Sequence, residues 1–369
     1  MKRNGKTTAG RPRWRCKDAS CGASYTRRNA SGAAGLARFL KWLMNPVTQE
    51  KAGPVSGRAF RYQVERFWRY WPLPHFMDEP VAVLHVDGLH LGRSPVVLIA
   101  ANQVGEPVGW YLARSEHAGA WKALLAQTSR PVMVVTDGGS GFRKAMRETW
   151  PEVRIQRCLF HVQMNITRLT TKNPRLQPGR ELKGLAHELV AVKTHAQAAA
   201  WEVGYLEWEA RWKVFLAQKS RYSTGAWEDT HKRLVRARNM VRALLRQGQL
   251  FTFLDPALVA ASGMEELPST NNRLEGGVNS QVRRVLSQHR GMPLLHRVKA
   301  VFWWCYTHSP APLPAARILR EMPTDATIAD LYNQARVDPA QRRREETGVP
   351  IQWGTAIEWE DLHHKTWKR

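Results

Sequence analysis

Val81-Ala82-Val83-Leu84-His85-Val86-Asp87 and Val132-Met133-Val134-Val135-Thr136-Asp137 decide the fold of this chain. Each is a short run of aliphatic and β-branched residues. Short apolar runs of this kind, bounded by turn residues, read as strands buried in a sheet. Each run is closed by an aspartate, and glycine follows: Gly88 after the first, Gly138-Gly139 after the second. Glycine in these places reads as the residue that lets the chain turn sharply at a strand end.

The flanking sequence fills in the sheet. Strands are expected near 81–87, 96–101 and 108–113, then a helix near 118–127 and a strand at 131–136. Ser140 reads as the cap of a helix running to Trp150, and Val153-Arg154-Ile155-Gln156-Arg157 as a short strand. Three strands followed by alternating helices and strands match the order of an α/β, RNase H-like sheet. In that order the first and fourth strands are neighbours, which brings Asp87 and Asp137 together.

A third acid lies far downstream, in Asn271-Asn272-Arg273-Leu274-Glu275-Gly276-Gly277-Val278-Asn279. This stretch reads as the start of a helix, with Ser269 or Thr270 as its cap, and a glutamate near a helix N-terminus complements the macrodipole. Two Asp and one Glu are the ligands that hard divalent cations prefer. Two such ions about 4 Å apart activate the nucleophile and stabilise the leaving oxygen of a phosphodiester. The chain has 31 Asp and Glu residues in all, so placement gives these three their weight.

Charge points to the substrate. The formal net charge is +25 over 369 residues, and a surface so basic attracts polyanions, nucleic acid first among them. The positive residues gather in three clusters. One is Arg11, Arg13, Arg15, Lys17, Arg27 and Arg28. The second is Lys232, Arg233, Arg236, Arg238, Arg242 and Arg246, at helical spacing. The third, Arg283, Arg284, Arg290 and Arg297, follows Glu275 directly. A hydrophobic content of 43% fits a globular protein. No apolar run approaches the roughly 20 residues of a membrane span, and the N-terminus lacks the apolar stretch of a secretory signal. A cytoplasmic, nucleoid-associated location and no membrane partner are expected. The four cysteines are not spaced as a disulfide framework.

Six segments follow. Residues 1–30 form a basic arm with a partial zinc ribbon. Cys16-x4-Cys21-Gly22 supplies two thiols where a structural zinc needs four ligands; the alternative is an arm with two free thiols, and a segment missing upstream would explain the half-motif. Residues 31–75 form a helical unit. Leu36, Phe39, Leu40 and Leu43 recur at helical spacing, Gly53-Pro54 marks a turn, and Ser56 caps a second helix studded with Arg58, Arg61, Arg66 and Arg69. Two helices around a turn, the second basic, read as a helix-turn-helix that binds DNA, or as a hairpin that only packs. Residues 80–170 are the first part of the sheet domain. Residues 171–267 are an all-helical insertion. Its aromatic residues, including Trp201, Tyr205, Trp208 and Trp212, pack its core, or one tryptophan stacks on a base. Residues 268–310 return to the sheet domain, ending in an apolar helix near 293–308. Residues 311–369 read as a peripheral C-terminal extension.

Several motifs resemble those of bacterial insertion-sequence transposases of the Mutator-like (MULE) superfamily. His85-Val86-Asp87-Gly88 fits the first Asp motif, and Thr136-Asp137-Gly138-Gly139-x-Gly141 the second. Gln156-Arg157-Cys158-x2-His161-x3-Asn165 fits the Cys-x2-His element that follows. Asn271-Asn272-x2-Glu275-Gly276-x2-Asn279, with His289-Arg290-Gly291-Met292 after it, fits the Glu motif. The resemblance covers residues 80–308. It implies a DDE transposase on an RNase H-like fold with an all-helical insertion, with Asp87, Asp137 and Glu275 as catalytic metal ligands. It further implies Mg2+ or Mn2+, nicking by activated water, and strand transfer by the freed 3′-hydroxyl. No covalent protein–DNA intermediate and no small-molecule cofactor are expected. Double-stranded DNA is the implied partner, as terminal inverted repeats and target, with a homodimer bringing two ends together. Cys158, His161, Asn272, Asn279, His289, Arg290, Arg58 and Arg61 are expected in DNA binding or in support of the active site. Cys16 and Cys21, and separately Cys158 with His161, are candidate zinc ligands. Two other readings stay open: a catalytically silent, transposase-derived DNA-binding regulator, and an RNase H-type nuclease.

Overall fold

The computed structural model describes residues 1–8, 12–26, 31–53, 55–75, 79–92, 95–221, 225–337 and 356–358. Arg11, Arg27, Arg28, Pro54 and the Arg342–Glu346 run lie outside the described residues. The chain divides into two compact units, Met1–Tyr70 with Leu313–Thr324, and Trp71–Pro312 with Asp325–Arg369.

The first unit opens with strands β1 (Lys2–Lys6), β2 (Pro12–Arg15) and β3 (Ser24–Thr26), antiparallel in that order. The expected basic arm is therefore a small sheet, with Trp14 and Tyr25 directly paired across it. Helices α1 (Ser31–Met44) and α2 (Gly57–Glu65) follow. Ser56 caps α2, its hydroxyl accepting from the Ala59 N–H at 3.3 Å. Leu36, Phe39, Leu43, Phe60 and Val64 are buried, and Phe39 meets Phe67 and Trp68 ring to ring. A further helix, Ala315–Glu321, packs on α1. Residues 311–369 are thus no single peripheral extension: 313–324 complete the core of the first unit.

The second unit is built on a five-stranded sheet of β4 (Val83–His90), β5 (Val96–Ala101), β6 (Pro107–Ala113), β7 (Met133–Thr136) and β8 (Arg154–Arg157), in the order β6-β5-β4-β7-β8. The first three strands form an antiparallel meander, and β7 and β8 add parallel to β4 and to each other. Strands β5 and β6 are buried along their whole length, as their unbroken apolar runs require. Helices α3 (Ala118–Leu125) and α4 (Ser140–Thr149) pack together, with α3 against β5 and β6. Helix α5 (Leu159–Thr170) packs through Leu159, Val162 and Ile166 in one core with Val83, Met133 and Val135.

Beyond α5 come α6 (Gln177–Ala191), α7 (His195–Arg211) and α8 (Lys213–Leu216), then a hairpin of β9 (Lys219–Arg221) and β10 (Trp227–Asp229), then α9 (Lys232–Arg246) and α10 (Pro256–Ser262). The insertion is therefore not wholly helical. It is not a separate body either, since its buried side chains join those of α5 and the sheet in one core. Trp201, Tyr205 and Trp208 are buried there. The Trp201 and Trp208 indoles donate to the Leu185 and Pro178 carbonyls, so both are spent on packing. The chain leaves the sheet at Cys158-Leu159 and returns at Ser269–Asn271, and the two points touch. The Leu159 N–H donates to the Ser269 carbonyl at 3.1 Å, and the Asn271 N–H to the Cys158 Sγ at 3.2 Å.

A π-helical turn over Arg273–Asn279 runs into α11 (Ser280–Gln288), and α12 (Leu294–Thr307) lies against β6. Lys299 of α12 is buried, paired with Asp325 at 2.6 Å and lying over the Trp71 ring. Among the described residues no helix is long and apolar enough to cross a membrane.

Candidate active site

Strand β4 runs past Asp87 to His90, and Asp87 pairs with Ile99 of β5. The aspartate does not end its strand as expected. It stands where β4 loses its parallel neighbour, because β7 stops at Thr136, opposite Val86. Asp137 is the next residue after β7, so the two aspartates sit side by side at one rim of the sheet. Gly88 is not a turn residue. A Cβ there would fall 2.4 Å from Glu116 Oε1, so this glycine serves a close approach. Gly138 does turn the chain, at φ +89°, and a Cβ there would fall 1.5 Å from the Arg157 guanidinium. Gly141 makes room for the Glu116 carbonyl in the same way. Helix α4 begins at Ser140 but has Gly139 as its cap residue, without a side-chain bond. Asp137 Oδ1 accepts from the Gly139 N–H at 3.3 Å instead.

Glu275 is carried by the π-helical turn, where the Ser280 N–H reaches back five residues to the Glu275 carbonyl. Such turns are rare and occur often at functional sites. The segment is not capped by Ser269 or Thr270; Asn272 is its cap residue and makes no side-chain cap bond. Two asparagines hold it to β4, four residues either side of Glu275. Asn271 donates to the Val86 carbonyl at 3.0 Å and lies 3.1 Å from His85 Nδ1. Asn279 donates to Asp87 Oδ2 at 2.6 Å. The expected supporting role of Asn272 falls to its neighbour. Asn271 is buried, whereas Asn272 is exposed and its side chain fills the space beside Gly276. Spacing was the available signal, since residues four apart share a helix face.

The electrostatics single out Asp87. Burial raises its carboxyl to about 7, with the charges of Asp137 and Glu275 adding to the rise. Both other acids act on it, so all three lie within electrostatic reach at this rim. Burial also lowers His85 to about 4, so its ring is neutral beside Asn271. Arg157 is buried beneath the Asp137 loop; burial works against its charge and Asp137 supports it. Its Nη1 donates to the Gly138 carbonyl at 3.3 Å.

Cys158 and His161, expected near the site, are in it. His161 Nδ1 lies 3.1 Å from Glu275 Oε1, without the alignment of a hydrogen bond. The Cys158 thiol, and after it Glu275, push the imidazole up to about 10. One ligand atom from each of Cys158, His161 and Glu275 falls within a 4.8 Å cluster. The three acids form no such cluster among the described residues. Beside them, Glu275 Oε1 and Asn279 Oδ1 are buried acceptors without a hydrogen bond. A set of oxygen acceptors short of donors is the chemistry that a hard divalent cation fits.

The other expected residues lie elsewhere. His289 and Arg290 form the turn between α11 and α12. Arg58 and Arg61 are exposed on α2 of the first unit. Cys16 and Cys21 are hydrogen-bonded thiol to thiol after β2, and among the described residues no third ligand joins them. Sequence reasoning missed Asn271, Glu116 and the buried Arg157. For the last two the signal was the crowd of glycines, each of which leaves room for one of them.

Parts of the chain are similar to known proteins. Residues 94–165 match the model of the MULE transposase domain. That stretch includes Asp137, Cys158 and His161. Over 145 residues the chain is 28% identical to the transposase for insertion sequence element IS406 of Burkholderia multivorans, covering 36% of this chain and 37% of the relative. It is 28% identical over 116 residues to the transposase for IS1201 of Lactobacillus helveticus, covering 29% and 31%. It is 43% identical over 56 residues to the transposase for IS6120 of Mycolicibacterium smegmatis, covering 14% and 17%. The matched stretches thus span well under half the length of these relatives. Over these stretches the chain is similar to bacterial insertion-sequence transposases, and residues 94–165 carry the match to the MULE transposase domain.

Proposed function

We propose that this chain cuts DNA at the terminal inverted repeats of an insertion sequence and joins the freed ends to target DNA. The observation that carries the reading is the convergence of three acids from distant parts of the sequence at one sheet rim, where the charges of Asp137 and Glu275 both act on Asp87. A carboxyl raised to about 7 by burial, and further by two like charges, is costly to ionise unless a cation is shared. Asp87, Asp137 and Glu275 would hold Mg2+ or Mn2+. When bound, such ions lower the barrier by activating the attacking oxygen and stabilising the departing one.

The chain's own residues do the rest. Asn279 orients the Asp87 carboxylate, and Asn271 fixes the Glu275 segment to the strand beneath it. His161 holds Glu275 by charge, and Arg157 secures the Asp137 loop through the Gly138 carbonyl. The strand order, an antiparallel meander extended by two parallel strands, supports an RNase H-like reading of the sheet. The exposed Arg58 and Arg61 on a capped second helix support a helix-turn-helix that binds the terminal repeats. A homodimer on DNA follows from the need to hold two ends.

The experiment is cleavage and strand transfer by the full chain on duplexes carrying the ends of its own element, with Mg2+ or Mn2+. The wild type is expected to nick at the repeat terminus and to join. Asp87→Ala is expected to bind and do neither. Nicking without joining would favour a nuclease, and binding by a wild type that does neither would favour a silent regulator.

A further inference from the structure

Beyond Asp87, β4 continues through Leu89 and His90, and beyond Asn279 the helix α11 continues through Arg283. The two elements that build the acid site therefore run on together. Between them and the α11–α12 turn lies a groove of about 420 Å³, lined by Leu89, His90, Leu91, Arg283, Arg290 and Arg297 among others. Among the described residues no Asp or Glu lines it, and the acid at its wall, Glu116, is paired with His90 at 2.9 Å. Arg297 is built into its wall, donating to the Leu91 carbonyl at 3.4 Å. Gly291, at φ +87°, makes the turn that carries Arg290.

The arginines here differ from those of the other basic helix. On α9, Arg238 and Arg242 pair with Glu209, Lys232 pairs with Glu228, and Arg233 donates to the Arg168 carbonyl. Two carboxylates thus meet three of that cluster's six basic residues. Arg283 and Arg290 are exposed, and among the described residues neither has an acidic partner. Exposed guanidinium groups on a groove that no described carboxylate lines are suited to phosphate oxygens.

Distance places the groove. Arg283 is one helical turn from Asn279, about 6 Å along the axis, and Asn279 touches Asp87. His90 is three residues along β4 from Asp87, about 10 Å. A strand whose reacting phosphate sits at the acids would pass its next phosphates over these arginines.

We propose that this groove holds the phosphodiester backbone of one DNA strand, beside the reacting phosphate, through Arg283 and Arg290 and without regard to sequence. The placement beside the reacting phosphate rests on the function proposed above; the binding does not. The test is metal-free binding of the full chain to a duplex of arbitrary sequence across a range of salt. Each phosphate neutralised contributes about 0.9 to the slope of log affinity against log salt. The Arg283→Ala/Arg290→Ala variant is expected to lose about 2 from that slope and roughly tenfold or more in affinity. The Arg283→Lys/Arg290→Lys variant is expected to keep the slope, and melting curves confirm that both fold. An alanine variant with the wild-type slope overturns the groove, whatever the cleavage result. A wild type whose slope depends on these arginines, but which never cuts its own ends, supports the groove and overturns the function.

Discussion

The Asn279 amide meets the Asp87 carboxylate across 2.6 Å, although 192 positions of sequence separate them. This bond ties the segment carrying Glu275 to the strand carrying the first aspartate. Asn279→Ala would leave a buried carboxylate oxygen unmet, at about 1–3 kcal/mol, and would free the carboxylate to turn. Cleavage of element ends is expected to fall about 10- to 100-fold, the usual scale for a group that orients a metal ligand. Rates over a magnesium titration check this, and a variant with the wild-type rate and metal dependence would refute it.

Asp87→Ala should lower the rate of end cleavage by about a thousandfold or more, since such groups act as a unit. DNA affinity in metal-free buffer should stay within a few-fold of wild type. A gel-shift assay paired with a cleavage time course separates the two effects.

The raised carboxyl of Asp87 makes the metal-free fold sensitive to pH. Its folded value of about 7 lies above the ordinary 3.8, so the folded state binds this proton more tightly than the unfolded state. The stability it contributes is whole below about 4 and is lost as the pH rises toward 7. His161, raised from 6.5 to about 10, loses its contribution over that higher window in the same direction. Melting in a chelator should therefore fall as pH rises from 4 to 10, and Asp87→Asn should flatten the part below 7. Added Mg2+ should restore stability most at the alkaline end. A wild type and Asp87→Asn with parallel profiles would refute the assignment.

Gly138→Ala should disrupt the fold around the second aspartate. The new methyl would occupy the space of the Arg157 guanidinium, on a left-handed backbone. Overpacking alone costs about 1–3 kcal/mol, and the strained backbone adds to it. Gly139→Ala is the control, because its nearest neighbour beyond the adjoining chain is 3.8 Å away. A thermal melt of both should show a loss in the first and little change in the second.

Much of this site was legible in the sequence, because it follows from local pattern. Buried strands read as unbroken apolar runs, and the acids at their rim stand out against them. Glu275 was marked by its asparagine frame. The misses have physical causes. The apolar run of β4 breaks at Asp87, but its hydrogen bonds to β5 do not, so pattern shortened the strand. Gly88 looked like a turn because sequence carries no sign of the Glu116 packed against it. A π turn has no signature in composition, and it decides which asparagine is buried. Residues 315–321 are too few to advertise an amphipathic face, and their place beside α1 depends on contacts nearly 300 positions apart.

The insertion begins and ends at one place. Leu159 bonds to Ser269, and Asn271 to Cys158, before the chain reaches Glu275. Glu275 is thus registered by the base of the loop. A lineage can lengthen or trim the β9–β10 hairpin without moving those two contacts, whereas the helices that share a core with α5 and the sheet must stay. An engineer can treat that hairpin, and not the whole insertion, as a socket for a foreign domain.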